Sequence, residues 1–132
     1  MKINGWGRIV NIASIAALQP SPDFTPYCVA KAAILTYSKA LAGELARHNV
    51  TVNCISPGFV DTKQMRTVES TLASVEGCSA EEIKSRFENS IPLGRYADSE
   101  EVARLIAFLV SSGAGYITGS NLLIDGGLVR TT

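Results

Sequence analysis

Histidine is almost missing from this chain, with His48 alone among 132 residues. It falls where a helix is predicted to end, which makes it a surface residue facing the helix dipole and not a ligand or catalytic base. Cysteine is scarce too. Cys28, Cys54 and Cys78 are widely spaced and form no paired metal-ligand motif, a pattern that fits unbridged thiols in a reducing compartment. There is no surplus of charge of either sign, since twelve Lys and Arg balance twelve Asp and Glu. With no basic run and no aromatic ladder, nothing argues for nucleic acid or an anionic membrane surface as a partner. Long apolar runs are also lacking: no stretch reaches the length of a bilayer span, and Met1-Lys2-Ile3-Asn4-Gly5 has no apolar signal segment. The expectation is a soluble, cytoplasmic protein with no membrane contact.

What is present is enough apolar material for one small core, 46% of residues, with no repeat, low-complexity tract or linker dividing the chain. Residues 8–12 are a β-branched run after a glycine turn and read as a buried parallel strand. Pro20 and Pro22 are expected to keep the following loop free of helix. Thr25-Pro26 reads as N-cap and first residue of a helix that runs to about His48, with Asn49 as its stop. Val29, Ala32, Ala33, Thr36, Tyr37, Ala40, Leu41 and Leu45 supply its helical period. Its many alanines permit close approach of another helix, so it is a candidate subunit interface or simply packs on its own sheet. Residues 50–55 form a second strand, ended by Ser56-Pro57-Gly58. Residues 63–92 are polar and expected to be mobile, apart from a helix opened by a capping box at Ser79 and Glu82 and carrying Ile83 and Phe87. A last helix spans residues 98–111, with a capping box at Asp98 and Glu101 and a face of Val102, Leu105, Ile106 and Leu109. A third strand follows over residues 121–124.

Three polar residues stand out against this scaffold. Tyr27 and Lys31 are four apart on one helical face, about one turn from each other at roughly 1.5 Å rise per residue. An ammonium there, together with the helix dipole, favours the ionised phenol and suits Tyr27 to proton transfer near neutral pH. Ser14 follows the first strand at its carboxyl end, the edge at which open α/β sheets bind ligands. Each has a plainer reading: Ser14 merely ends a strand, Tyr27 packs as an amphipathic side chain, and Lys31 is solvated.

Taken together, Gly7-Arg8-Ile9-Val10-Asn11-Ile12-Ala13-Ser14, Tyr27-Cys28-Val29-Ala30-Lys31, Asn53-Cys54-Ile55-Ser56-Pro57-Gly58, Ile117-Thr118-Gly119 and Asp125-Gly126-Gly127 come in one order at compact spacing. In that combination the chain resembles the C-terminal half of a short-chain dehydrogenase/reductase over essentially its whole length. The resemblance implies an α/β fold, half of a doubly wound Rossmann-like domain with about three parallel strands and flanking helices. It implies NAD or NADP as cofactor and a small-molecule carbonyl or alcohol as substrate. Ser14, Tyr27 and Lys31 would be catalytic. Tyr27, Lys31, Pro57, Gly58, Val60 and Thr62 would touch the cofactor, Val60 through its backbone and Thr62 through its hydroxyl. Residues 63–92 would form a substrate lid. Ala13, Ala30 and Ser99 depart from the residues most frequent at those places in the family, and none of the three departures removes a proton-transfer group.

The family's glycine-rich turn, ribose selector and catalytic asparagine precede the matched region and have no counterpart here; Gly5-Trp6-Gly7 is an ordinary turn. Met1 is thus expected to be an internal methionine of a longer ancestor. Two functions remain open at this point: an oxidoreductase, or an inactive truncated remnant that serves as an oligomerising or interaction module. The open edge of the first strand further predicts a homo-oligomer, strand exchange or poor solubility.

Overall fold

The computed structural model describes residues 1–130. Three strands, β1 (Gly7–Ile12), β2 (Val50–Pro57) and β3 (Asn121–Ile124), form one parallel sheet in the order β1-β2-β3. Gly7 to Ile12 pair with Val50 to Ile55, and Cys54 to Pro57 pair with Asn121 to Ile124. Four helices connect them: α1 (Thr25–Leu45) between β1 and β2, and α2 (Lys63–Glu76), α3 (Ala80–Ser90) and α4 (Ser99–Val110) between β2 and β3.

Burial follows from this order. β2 is the central strand, and Val52, Asn53, Ile55 and Ser56 are all 0% exposed. A near-continuous apolar run is what a strand covered on both faces requires. On one face Val50 and Val52 pack with Ala42 and Leu45 of α1, joined by Ile9 and Leu41. On the other face Ile55 packs with Leu109 of α4 and Ala114, joined by Val10, Val102, Leu105, Ile106, Ile117 and Leu122. The expected apolar face of α4 is therefore the one the sheet covers.

The stripe that α1 buries differs from the one its hydrophobic period predicts. Cys28, Ser38, Ala42 and Leu45 are buried, whereas Val29 and Tyr37 are each 63% exposed. Small side chains decide this. Cys28, Ser38 and Ala42 let the helix axis come close to the sheet, and Asn11 Nδ2 on β1 donates to Ser38 Oγ at 2.7 Å. A polar residue bonded across the interface is at home inside, so ranking positions by hydrophobicity picks the wrong face of an alanine-rich helix.

The entry to α1 is also corrected. Thr25 is the first helical residue and not its N-cap, and its hydroxyl donates to Pro22 O at 3.0 Å. Pro22 does not block helix but opens a short 3-10 turn, Pro22–Phe24, that runs straight into α1, and another such turn spans Ile15–Ala17. Proline tolerates that first position because no helical partner is required of its nitrogen. At the far end a 3-10 turn, Ala46–His48, follows α1, and Asn49 adopts the left-handed conformation at φ 56° and stops the chain's helical course as predicted.

β2 continues through Pro57 instead of ending at Ile55, because β3 supplies a partner as far as Ile124. Residues 63–76, expected as mobile chain, form helix α2, whose N-cap Thr62 accepts a hydrogen bond from Met65 N at 3.1 Å. α3 begins at the predicted capping box of Ser79 and Glu82.

α4 carries a titration that can be measured. Glu101 accepts from Arg95 Nη1 at 2.8 Å and Nη2 at 2.9 Å, and from Asp98 N at 2.8 Å. The Arg95 bonds first, and the Asp98 amide second, hold its carboxyl at about 2 against an ordinary 4.5. A depressed acid stabilises the fold above its unfolded value and loses that contribution as pH falls. The first turn of α4 is therefore expected to loosen between pH 4.5 and about 2. Carboxyl NMR of Glu101 should titrate at the low end of that window, and in Arg95→Leu it should move up toward 4.5; a midpoint indifferent to Arg95 would refute the assignment.

Candidate active site at the carboxyl edge of the sheet

The carboxyl end of β1 is fastened to β2 by Ala13 N, which donates to Ile55 O at 2.8 Å. Ser14 comes next and is half-buried, its Oγ accepting from Ala16 N at 3.2 Å. That bond leaves the hydroxyl proton available to another acceptor. Lys31, on the second turn of α1, reaches back to the same edge: its Nζ donates to Ile12 O at 2.8 Å. The same Nζ lies 5.6 Å from the centre of the Tyr27 ring. An ammonium has three donors, so two remain beyond the Ile12 carbonyl. Tyr27 is 48% exposed, and its hydroxyl bonds to no group among the described residues. The structure thus gathers Ser14, Lys31 and Tyr27 where β1 ends and α1 begins.

The second predicted group lies beside the first, where neighbouring β2 ends. Gly58 N donates to Ile124 O at 3.0 Å, and a Cβ at Gly58 would stand 2.9 Å from Asp125 Cα. Only glycine permits that approach of two backbones. Val60 then forms an isolated parallel bridge with Ala97, through Ala97 N to Phe59 O at 3.0 Å and Asp61 N to Ala97 O at 2.9 Å. In extended chain the intervening residue directs its own amide and carbonyl the other way. Those two groups of Val60 have no partner among the described residues. A free donor beside a free acceptor matches a carboxamide, the polar end of a nicotinamide, and Thr62 still has its hydroxyl proton to give while it caps α2. The residues present therefore fit the group that the resemblance implies.

With Tyr27 48% exposed and Ser14 and Lys31 half-buried, the trio forms an open ledge at the sheet edge. Larger cavities lie along the outer faces of α2 and α3, for example one of about 560 Å³ at Arg66, Thr67 and Ser70 and one of about 400 Å³ at Glu82 and Arg86. Neither is lined by Ser14, Tyr27 or Lys31. Sequence reasoning missed two buried residues near the ledge, Glu69 and Tyr96. Glu69 sits on the helix that a polar composition concealed, though Met65, Val68 and Leu72 repeat there at helical spacing.

The family model described as enoyl-(acyl carrier protein) reductase matches residues 1–129. A 3-oxoacyl-(acyl-carrier-protein) reductase of Chlamydia trachomatis is 42% identical over 92% of this chain and 45% of its own length. Among solved structures, a short chain dehydrogenase family protein of Francisella tularensis superposes with a TM-score of 0.91 at 34% identity, over 94% of this chain and 51% of that one. The F189W form of actinorhodin polyketide ketoreductase with NADPH gives 0.92 at 37% identity, over 98% and 49%. The chain spans about half the length of the relatives it matches. No helix among the described residues is long and apolar enough to cross a membrane. The parallel strand order and these matches agree, and the chain belongs to the short-chain dehydrogenase/reductase family.

Proposed function

We propose that this chain serves an NAD(P)-dependent oxidoreductase, with Ser14, Tyr27 and Lys31 as its catalytic residues. The observation that carries the reading is the Lys31 ammonium, fixed at 2.8 Å on the Ile12 carbonyl and 5.6 Å from the Tyr27 ring centre beside Ser14. When bound, the nicotinamide supplies or accepts the hydride at a carbonyl or alcohol carbon. Tyr27 then exchanges the proton on the substrate oxygen, a role open to a half-exposed hydroxyl with no competing partner. Ser14 donates a hydrogen bond to the same oxygen and stabilises the charge that develops there. Lys31 steadies negative charge on the phenol oxygen and has two donors left for the hydroxyls of the nicotinamide ribose. Pro57 and Gly58 bring the end of β2 close against Asp125, and beyond them the Val60 amide and carbonyl and the Thr62 hydroxyl would hold the carboxamide. Carbonyl reduction is the direction supported by the names of the relatives, a 3-oxoacyl reductase and a ketoreductase. Residues 63–92 act as the lid on the substrate side.

The reading extends to self-association. β1 offers an unpaired edge, and α1 turns Val29 and Tyr37 outward at 63% exposure each; both surfaces suit a second copy.

Titration of the purified chain with NADH and with NADPH, followed by nucleotide fluorescence, tests the function. Saturable binding of either, with turnover of a 3-oxoacyl thioester or a simple ketone, is the expected result; no binding of either nucleotide overturns it. Light scattering on the same sample should give a mass above that of one chain.

A further inference from the structure

The hairpin of α2 and α3 packs chiefly on itself. Its attachment to the body of the domain converges on Tyr96, a residue 6% exposed in the segment between α3 and α4. The Tyr96 hydroxyl donates to Glu69 Oε1 at 2.7 Å, and Glu69, on α2, is only 5% exposed. The Tyr96 ring lies 5.7 Å from that of Phe59, which stacks at 4.8 Å on Phe87 of α3. Lys84 of α3 brings its Nζ to 5.7 Å from the same Tyr96 ring. Tyr96 also adjoins Ala97, the partner of Val60 in the isolated bridge. One residue thus links both helices of the hairpin to the stretch that carries Val60 and Thr62.

We propose that the Glu69–Tyr96 hydrogen bond is a clasp that holds the α2–α3 hairpin down on residues 59–62, making Glu69 and Tyr96 positioning residues for the nicotinamide side of the site. The role rests on the functional reading above; the clasp itself does not. A carboxylate so deeply buried is tolerable only with its partner, because desolvating it without a hydrogen bond is costly. When the Tyr96 hydroxyl is removed, the cheapest relief is for α2 to swing out and return Glu69 to water. A cavity of about 380 Å³ lies beside Glu69, bordered by Asp61, Arg66, Ser70, Glu81 and Lys84. Burial first, then the bond to Glu69, raise the Tyr96 pKa, so the donated proton stays in place across the range in which the protein is handled. A unit with few contacts to its neighbours opens on its own and not with the whole domain.

Hydrogen exchange followed by mass spectrometry, on the full chain, decides the matter. In Tyr96→Phe, peptides from residues 63–90 should exchange about tenfold faster while those from β2 and α1 stay within about twofold of wild type. Glu69→Gln keeps an acceptor oxygen toward Tyr96 and should remain within about threefold of wild type throughout. Unchanged exchange of the hairpin in Tyr96→Phe, or acceleration spread equally over β2 and α1, overturns the clasp. Nucleotide titration of the same proteins separates the two levels. Weaker binding of NADH or NADPH by Tyr96→Phe, with wild-type binding retained in Glu69→Gln, supports the positioning role, and equal binding by all three overturns it. Wild type that binds neither nucleotide overturns the functional reading and the positioning role together, while the exchange pattern still decides the clasp.

Discussion

Tyr27→Phe is expected to lower kcat for carbonyl reduction by about 10²- to 10⁴-fold, the range contributed by a positioned proton donor. The substitution deletes one oxygen and little else. Tyr27 is half exposed and its hydroxyl bonds to no described residue, so its loss should change stability by no more than about 0.5 kcal/mol. The phenyl ring keeps its face to the Lys31 ammonium, at 5.6 Å in the wild type, so the lysine should stay on the Ile12 carbonyl. Affinity for NADH or NADPH should therefore hold within a fewfold while the chemical step fails. That split between binding and turnover is the diagnostic measurement. Retention of more than a tenth of wild-type kcat would remove Tyr27 from the chemistry, and loss of nucleotide affinity along with kcat would make it a binding residue instead.

The second large effect is on the fold. Asn53→Ala should cost about 2–6 kcal/mol, since two backbone groups bonded to this fully buried side chain would be left without partners at roughly 1–3 kcal/mol each. Asn53 is 0% exposed in the centre of β2. Its Nδ2 donates to Ile117 O at 2.8 Å and its Oδ1 accepts from Ser120 N at 3.1 Å. On either side, Gly119 N donates to Val52 O at 2.7 Å, and Thr118 Oγ1 accepts from Val52 N at 3.1 Å. One side chain thus ties down the turn that launches β3. A domain whose total stability is of order 5–15 kcal/mol would lose a large part of it. Urea denaturation should show a lowered midpoint with an unchanged slope. Asn53→Asp should fare no better, because its second oxygen would face the Ile117 carbonyl, acceptor against acceptor, from a side chain that is 0% exposed. A midpoint for Asn53→Asp close to wild type would show that the donor half of the amide is unimportant.

Element type was legible wherever local chemistry and hydrophobic period agree. β1, β2, α4 and the capped start of α3 each have both, and each lies within a few residues of its predicted place. α2 lacks a capping box and is polar overall, so its helical repeat of Met65, Val68 and Leu72 was hidden by composition, and its single cap, Thr62 accepting from Met65 N, is a weaker signal. The N-cap of α1 was misplaced because Thr25 can serve as cap or as first helical residue, and only the preceding turn at Pro22 selects between them.

The spacing of Tyr27 and Lys31 and the order of the motifs determined, without coordinates, which residues are candidates for the site, because a helical turn is a fixed length and brings residues four apart onto one face. Convergence was settled only in three dimensions. Lys31 meets Ile12 across 19 positions of chain, and Glu69 meets Tyr96 across 27. Such contacts depend on how α1 and α2 pack, and packing is decided by the summed shape of small and large side chains on both faces of the sheet. Local sequence cannot encode that sum. For the same reason the buried stripe of α1 emerged only once Asn11 and Ser38 had been brought together across the helix–sheet interface.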